Sequence, residues 1–349
     1  MHVSRSSYKS YQSWQDLYIC SMKRKIIFSF ILFAIVTGFG SWGFLVHRTV
    51  NQLAIYSLPK KMQPFFYIYK DYLVYNAPRA DQRRNTDKDE FHKHFMDMEY
   101  YGPSPFDSVP QQLDAAVAKY GIDTLKAYGT LPYTVIATQK KLTEAFKSKN
   151  RDSILFYAAD LGHYVADAHV PLHTSLNYDG QLTNQHGMHD LWETTVPEIV
   201  MTSYNISSKH GAKYLPDPSK TIWNIIEHTH SLLPEMFAKE IEVSKNFTDS
   251  TKYRWQHRWG KDRRFYTAPF AREYNKVLGA SINEQLIASA EHLADFWYTA
   301  WVDAGKPNLT NIMTKPYNKQ DFKKEHKAYK KNELIKRGWL ISKKEPTDD

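Results

Sequence analysis

A single cysteine, Cys20, occurs among 349 residues. No internal disulfide can form, and zinc clusters built on two or more thiolates are excluded. Any metal must therefore sit on nitrogen and oxygen. Sustained alternation of apolar and polar residues with hairpin turns is also missing, which leaves few strands. Disorder is excluded by composition, since 42% of residues are hydrophobic and 15% aromatic, enough for a sizeable core. The body lacks excess charge as well. The formal net charge is +9, but residues 1–41 carry +4 of it and residues 315–349 the other +5. Residues 42–314 are balanced and show no basic face for a polynucleotide. What the chain does have is histidine, 15 in all, and their clustering matters more than their number.

Three regions follow. Met22-Lys23-Arg24-Lys25 precedes the apolar run Ile26 to Val36, and the small residues Gly38, Gly40 and Ser41 come before Trp42. This reads as a secretory signal within an N-terminal extension of residues 1–41, with Met22 as the start. It places the protein outside the cell or in the periplasm. The apolar run is short for a membrane span, and an uncleaved anchor is the alternative. Residues 42–314 form one all-α domain. Helical periodicity marks Arg48 to Leu58, Gln111 to Tyr120, Tyr133 to Lys147, Asp152 to Ala168, Gly187 to Ile199, Thr221 to Val243 and Ala268 to Ala304. Asn76 to Glu90 suits an ordered loop or short helix over a site. Residues 315–349 read as a Lys-rich, solvated C-terminal extension.

The chemistry gathers in Asp160-Leu-Gly-His163-Tyr-Val-Ala-Asp167-Ala-His169-Val-Pro171-Leu-His173. His163 and Asp167 are four apart, so on a helix they project from one face and can grip a single metal. Pro171 ends the helix, which lets His173 turn toward a second metal. His189 and Glu193 repeat the i, i+4 spacing. Upstream, Asp81-Gln82-Arg83-Arg84 and His92-Lys93-His94-Phe95-Met96-Asp97 are weak alone, and His92 rivals His94 as a ligand. His169 and His186 read as structural or supporting residues.

Together, Trp42-Gly43 with His47, Asp81 with Arg84, His94-Phe95-Met96-Asp97, His163/Asp167/His173 and His189/Glu193 resemble the zinc-dependent phospholipase C and single-strand-specific zinc nuclease superfamily. Nine metal-ligand positions match in order across residues 42–193. The resemblance implies a single helical domain with a trinuclear zinc cleft. One ion would be held by Asp81, His94, His163 and Asp167. A neighbour would take Trp42, through its free α-amine and carbonyl, together with His47 and the shared Asp167. A third would sit on His173, His189 and Glu193.

It also implies hydrolysis of a phosphoric ester by a hydroxide bridging the first two ions. Asp81 would orient the nucleophile and Arg84 would stabilise the phosphate, with Phe95 and Asp97 as substrate contacts. Glu193, where the nuclease branch usually has Asp, and the lack of disulfides favour a phospholipid head group and transient membrane-surface contact. Single-stranded nucleic acid is the second substrate class, and no stable protein partner is expected. A secreted zinc-binding protein without activity is the alternative from another class, and such a cage would not need Asp81 and Arg84 together.

Overall fold

The structure is a computed structural model that describes residues 44–258 and 261–343. The signal-like segment, Cys20 and Trp42 lie outside the described residues. The structure is 66% helix and 3% strand, with one two-stranded sheet among the described residues, so the all-α expectation holds. The elements used below are α1 (Phe44–Ser57), α2 (Arg79–Arg83), α3 (Leu131–Lys147), α4 (Arg151–Asp167), α5 (Pro218–Ser231), α6 (Leu233–Ser244), β1 (Tyr253–Arg258), β2 (Lys261–Tyr266), α7 (Ala268–Leu278), α8 (Ser281–Asp303) and α9 (Lys319–Lys330).

The centre of the fold is α4. Its start is set by Asn150, whose side-chain carbonyl accepts the Ser153 N–H at 2.9 Å, a cap that satisfies one of the orphan donors. It buries Ile154, Leu155, Ala158, Leu161 and Val165 together with His163 and Asp167, so it is packed on several sides rather than along one stripe. It lies against α3 and α8, and α8 also packs on α1. Trp297 of α8 is fully buried, and its indole N–H donates to the Ala158 carbonyl at 3.1 Å, which satisfies the one polar atom of a large apolar side chain.

Three periodic stretches are broken where the backbone demands it. Thr221 to Val243 divides into α5 and α6 because Pro234 has no N–H to continue the ladder. Ala268 to Ala304 divides at Gly279, whose φ of +70° ends α7. Met188 to Val200 holds five residues of wider π turn, Leu191–Thr195, just before Pro197.

The C-terminal region departs from expectation. Residues 315–343 are not a solvated extension: Phe322, Ala328, Tyr329, Leu334, Leu340 and Ile341 are buried. Glu325 of α9 is buried and accepts hydrogen bonds from Tyr67 Oη at 2.8 Å and Lys70 Nζ at 2.6 Å, and also from Tyr56. The Gln52 side chain of α1 pairs with the Trp339 carbonyl and the Ile341 N–H, each at 2.8 Å. The lysines occupy the outward face of an amphipathic helix, so their number hid an inward stripe.

Candidate metal centre

Six pieces of the chain supply the ligand-type side chains. His47 comes from α1, Asp81 from α2, His94 from the 3-10 turn Phe91–His94, and His163 and Asp167 from successive turns of α4. Pro171 opens a second 3-10 turn that carries His173, while His189 and Glu193 stand on the Met188–Val200 segment. The close approach of α1 to α4 depends on Gly162, where an added Cβ would lie 2.4 Å from the Asn51 amide nitrogen.

The side chains converge. Asp167 Oδ2 is 3.0 Å from His94 Nδ1 and 3.3 Å from His163 Nε2, while its Oδ1 is 3.6 Å from His47 Nε2. Asp81 Oδ1 approaches His94 at 3.7 Å and His163 at 3.9 Å. Glu193 spans two groups, with Oε2 2.8 Å from His189 and 3.5 Å from His173, and Oε1 3.3 Å from His47. Four overlapping sets, each with ligand atoms within 4.8 Å of one another, can hold a metal ion: His47/Asp81/His163, His94/His163/Asp167, His173/His189/Glu193 and His47/Asp167/Glu193. The structure thus brings all eight described candidates together. His92, the rival of His94, lies apart from them and bonds Thr130 Oγ1 at 2.7 Å.

The donor set fits a cation on chemical grounds. His163 Nδ1 faces the Ala77 carbonyl at 3.0 Å, His189 Nδ1 faces the Tyr178 carbonyl at 3.1 Å, and His173 Nδ1 faces the His94 carbonyl. A carbonyl only accepts, so each Nδ1 carries a proton, and in the neutral ring each Nε2 then presents its lone pair to the cluster. Two such lone pairs, on His173 and His189, stand 3.2 Å apart beside a carboxylate. Two bare lone pairs would repel there, and a proton or a metal ion between them removes the conflict. The metal families that use histidine orient it through the far nitrogen in the same way.

Electrostatics agree. Burial pushes His94 down, but Asp167, Glu90 and Asp81 outweigh it and lift its pKa to about 9. For His189, burial again opposes, and Glu193 lifts it to about 9. Burial would raise Asp167 and Glu193, yet the surrounding imidazoles hold both well below the usual carboxylate range. The cluster is a buried set of carboxylates that requires positive charge at its centre. Behind it, Glu90 is buried with His94 Nε2 3.5 Å away, and bonds Tyr164, Lys93 and Arg83. Asp160 takes Arg79 at 2.6 Å and Arg83 at 2.9 Å.

The cluster forms the floor of an open cavity of about 1060 Å³. Asp81, Asp167, His173, His189 and Glu193 face into it, and Arg84 stands at its edge with Nη1 3.2 Å from Asp81 Oδ1. Phe95 and Asp97, expected as substrate contacts, are not among the lining residues. After the 3-10 turn the chain becomes extended at Phe95 and runs inward, so Asp97 is buried and its N–H bonds the Tyr128 carbonyl at 2.8 Å. The lining aromatic on this side is Phe91, 52% exposed, with Phe95 packed edge-on behind it.

Sequence reasoning missed the facing wall. The hairpin β1–β2 brings Trp255, Arg263, Arg264 and Phe265 to the cavity, and Tyr178 and the exposed His186 line it nearby. The signal was present in Tyr253-Arg-Trp-Gln-His-Arg and Lys-Asp-Arg-Arg-Phe-Tyr266 flanking a Trp-Gly pair, a short alternation of aromatic and cationic residues. Compared with known protein families and with curated proteins, the chain gives no match to a family model and none to a curated protein.

Proposed function

We propose that the protein is a zinc-dependent hydrolase of phosphoric diesters, working in a cleft that takes three zinc ions, as the resemblance to the phospholipase C and zinc nuclease superfamily implies. One observation carries the proposal: imidazole nitrogens and carboxylates from six pieces of the chain meet at ligand spacing on the floor of an open cavity. Asp81, His94, His163 and Asp167 would hold one ion, His47 and Asp167 a second together with Trp42, and His173, His189 and Glu193 a third. When bound, zinc makes water more acidic and draws charge from phosphoryl oxygens.

The chain's own residues do the rest. Asp81 stands beside the cluster and open to the cavity, so its carboxylate can orient an attacking water and accept its proton. Arg84 sits 3.2 Å away and can pair with the equatorial oxygens as charge builds on them, the contribution that usually weighs most. Asp167 uses both oxygens on different imidazoles, which suits a bridging role. No serine or cysteine nucleophile is required. A cage kept for structure alone would have no use for an open floor with an acid and an arginine beside it.

On substrate class the cleft favours single-stranded nucleic acid over the phospholipid head group that Glu193 and the missing disulfides suggest. Arginines and exposed aromatic rings line it together, which suits phosphates alternating with bases. The test is turnover of phosphatidylcholine, nucleotides and single-stranded DNA by purified zinc-loaded protein, run side by side. Hydrolysis of single-stranded DNA that a chelator abolishes supports the proposal, and failure on all three substrates refutes it.

A further inference from the structure

We infer that the hairpin Tyr253–Tyr266 is a gripping arm for single-stranded nucleic acid, with Trp255 as a stacking face for a base and Arg264 as a phosphate contact beside the metal floor. The inference rests on the proposed hydrolysis of a nucleic-acid phosphodiester and names the part of the chain that would hold the strand beyond the scissile bond.

Four observations support it. First, Trp255 is 69% exposed although it is the largest side-chain type and points at a cavity wall. Its cross-strand partner is Arg264, so ring and cation stand side by side on one face of the ribbon. Second, the hairpin carries five Lys/Arg against Asp262 in fourteen residues, a local net of +4 within a body that is balanced overall. Of these cations Arg263 and Arg264 line the cavity, where they would meet a polyanion.

Third, two parts of the cavity lining repeat one device. Arg264 lies over the Tyr253 ring with its guanidinium carbon 4.4 Å from the centroid, and elsewhere on the cavity lining Arg84 lies over Phe91 at 5.0 Å. Each ring holds its guanidinium in place, with Arg84 also paired to Asp81, and either cation can turn donors toward an anion in the cavity.

Fourth, the arm is anchored to the segment that carries His189. Buried Glu240 accepts from Lys252 Nζ at 2.6 Å, Tyr266 Oη at 2.9 Å and Gln185 Nε2 at 2.6 Å, joining the base of the hairpin to the loop before Gly187. Gly187 stands at that junction with a φ of +96°, a backbone that favours glycine, and turns the chain into the His189 segment beside Tyr266. A strand held by the arm is therefore held in register with the metal floor. An acyl-lipid surface would call for a contiguous apolar rim, whereas here each exposed ring is interleaved with charge.

The experiment is anisotropy of fluorescein-labelled phosphorothioate decathymidylate with the zinc-loaded full chain, because that backbone resists turnover while binding is read. Trp255→Ala should weaken binding at least about fivefold, the low end for losing one stacked base, and Trp255→Phe should restore most of it. Arg264→Ala should flatten the slope of log affinity against log salt by about 0.7. Circular dichroism confirms that each variant is folded. Equal affinities for wild type and Trp255→Ala would overturn the inference, as would binding to phosphatidylcholine/phosphatidylserine vesicles but not to the oligonucleotide, or to neither. Hydrolysis of bis(p-nitrophenyl) phosphate by the wild type, measured in parallel, reports separately on the proposed hydrolase, so the two failures are distinguishable.

Discussion

Gly162→Ala should damage both stability and metal affinity, although the same change in most helices would help. Alanine at an ordinary helical position gains about 1 kcal/mol over glycine. Here the new Cβ would lie 2.4, 2.5 and 2.7 Å from Asn51 Nδ2, Oδ1 and Cγ, well inside normal contact of about 3.5 Å. Asn51 cannot swing away, because it is fully buried and its Nδ2 donates to the His47 carbonyl at 3.1 Å. Overpacking of this kind costs about 3 kcal/mol at the upper end of its usual range, so the net loss is about 2 kcal/mol, or about 4 °C in Tm for a chain of this size. The strain falls between α1 and α4, whose His47 and His163 rings stack with centroids 4.1 Å apart. Zinc affinity should therefore fall by about tenfold or more, as when a ligand loses its support. Thermal unfolding in chelator reads the first effect, and competition with a zinc indicator reads the second. Asn51→Ala makes room for the new methyl, so Gly162→Ala should cost at least 1 kcal/mol less in that background. Additive losses, or a Gly162→Ala protein with unchanged Tm and zinc affinity, would refute the reasoning.

Asp167→Asn should lose more zinc per chain than Asp81→Asn, since both Asp167 oxygens face imidazoles while Asp81 stands 3.7 Å or more from its nearest one. Elemental analysis of the two variants decides this, and equal, mild losses would show the roles to be misassigned. Glu325→Ala should cost about 3 kcal/mol by orphaning buried donors, and limited proteolysis should then cut within 315–342. A tail that resists protease in the variant would mean that its apolar stripe suffices. His210 is raised by its hydrogen bond to Asp295, Nε2 to Oδ1 at 2.8 Å. A histidine raised by folding stabilises fully below its unfolded pKa of about 6.5 and loses that contribution as pH climbs through the folded value. Wild-type stability should consequently fall relative to His210→Gln as pH rises above about 6.5, and parallel stability curves for the two proteins would exclude the pairing.

The site was more legible than its walls, for a physical reason. Ligand pairs at i, i+4, such as His163/Asp167 and His189/Glu193, share a helical face whatever the rest of the fold does, and Pro171 forces the turn that presents His173. Long-range facts leave no such mark. That Phe91 rather than Phe95 lines the cavity depends on how one 3-10 turn is docked, and that the Lys-rich tail is core depends on α1 offering Gln52 and Tyr56 to it. The hairpin escaped because six-residue strands with cationic residues on both faces show no apolar alternation, only an aromatic one. Helix existence was set by periodicity, and helix ends by Pro234, Gly279 and Pro197, which act over one turn.

The most direct test is hydrolysis of bis(p-nitrophenyl) phosphate by the metal-stripped protein as zinc is returned stepwise, with bound zinc per chain measured in each sample. The account predicts no turnover without metal, a rate that climbs as occupancy approaches three ions, and full loss on chelation. Undiminished hydrolysis by zinc-free protein, or a fully loaded chain that hydrolyses no phosphodiester, would contradict it.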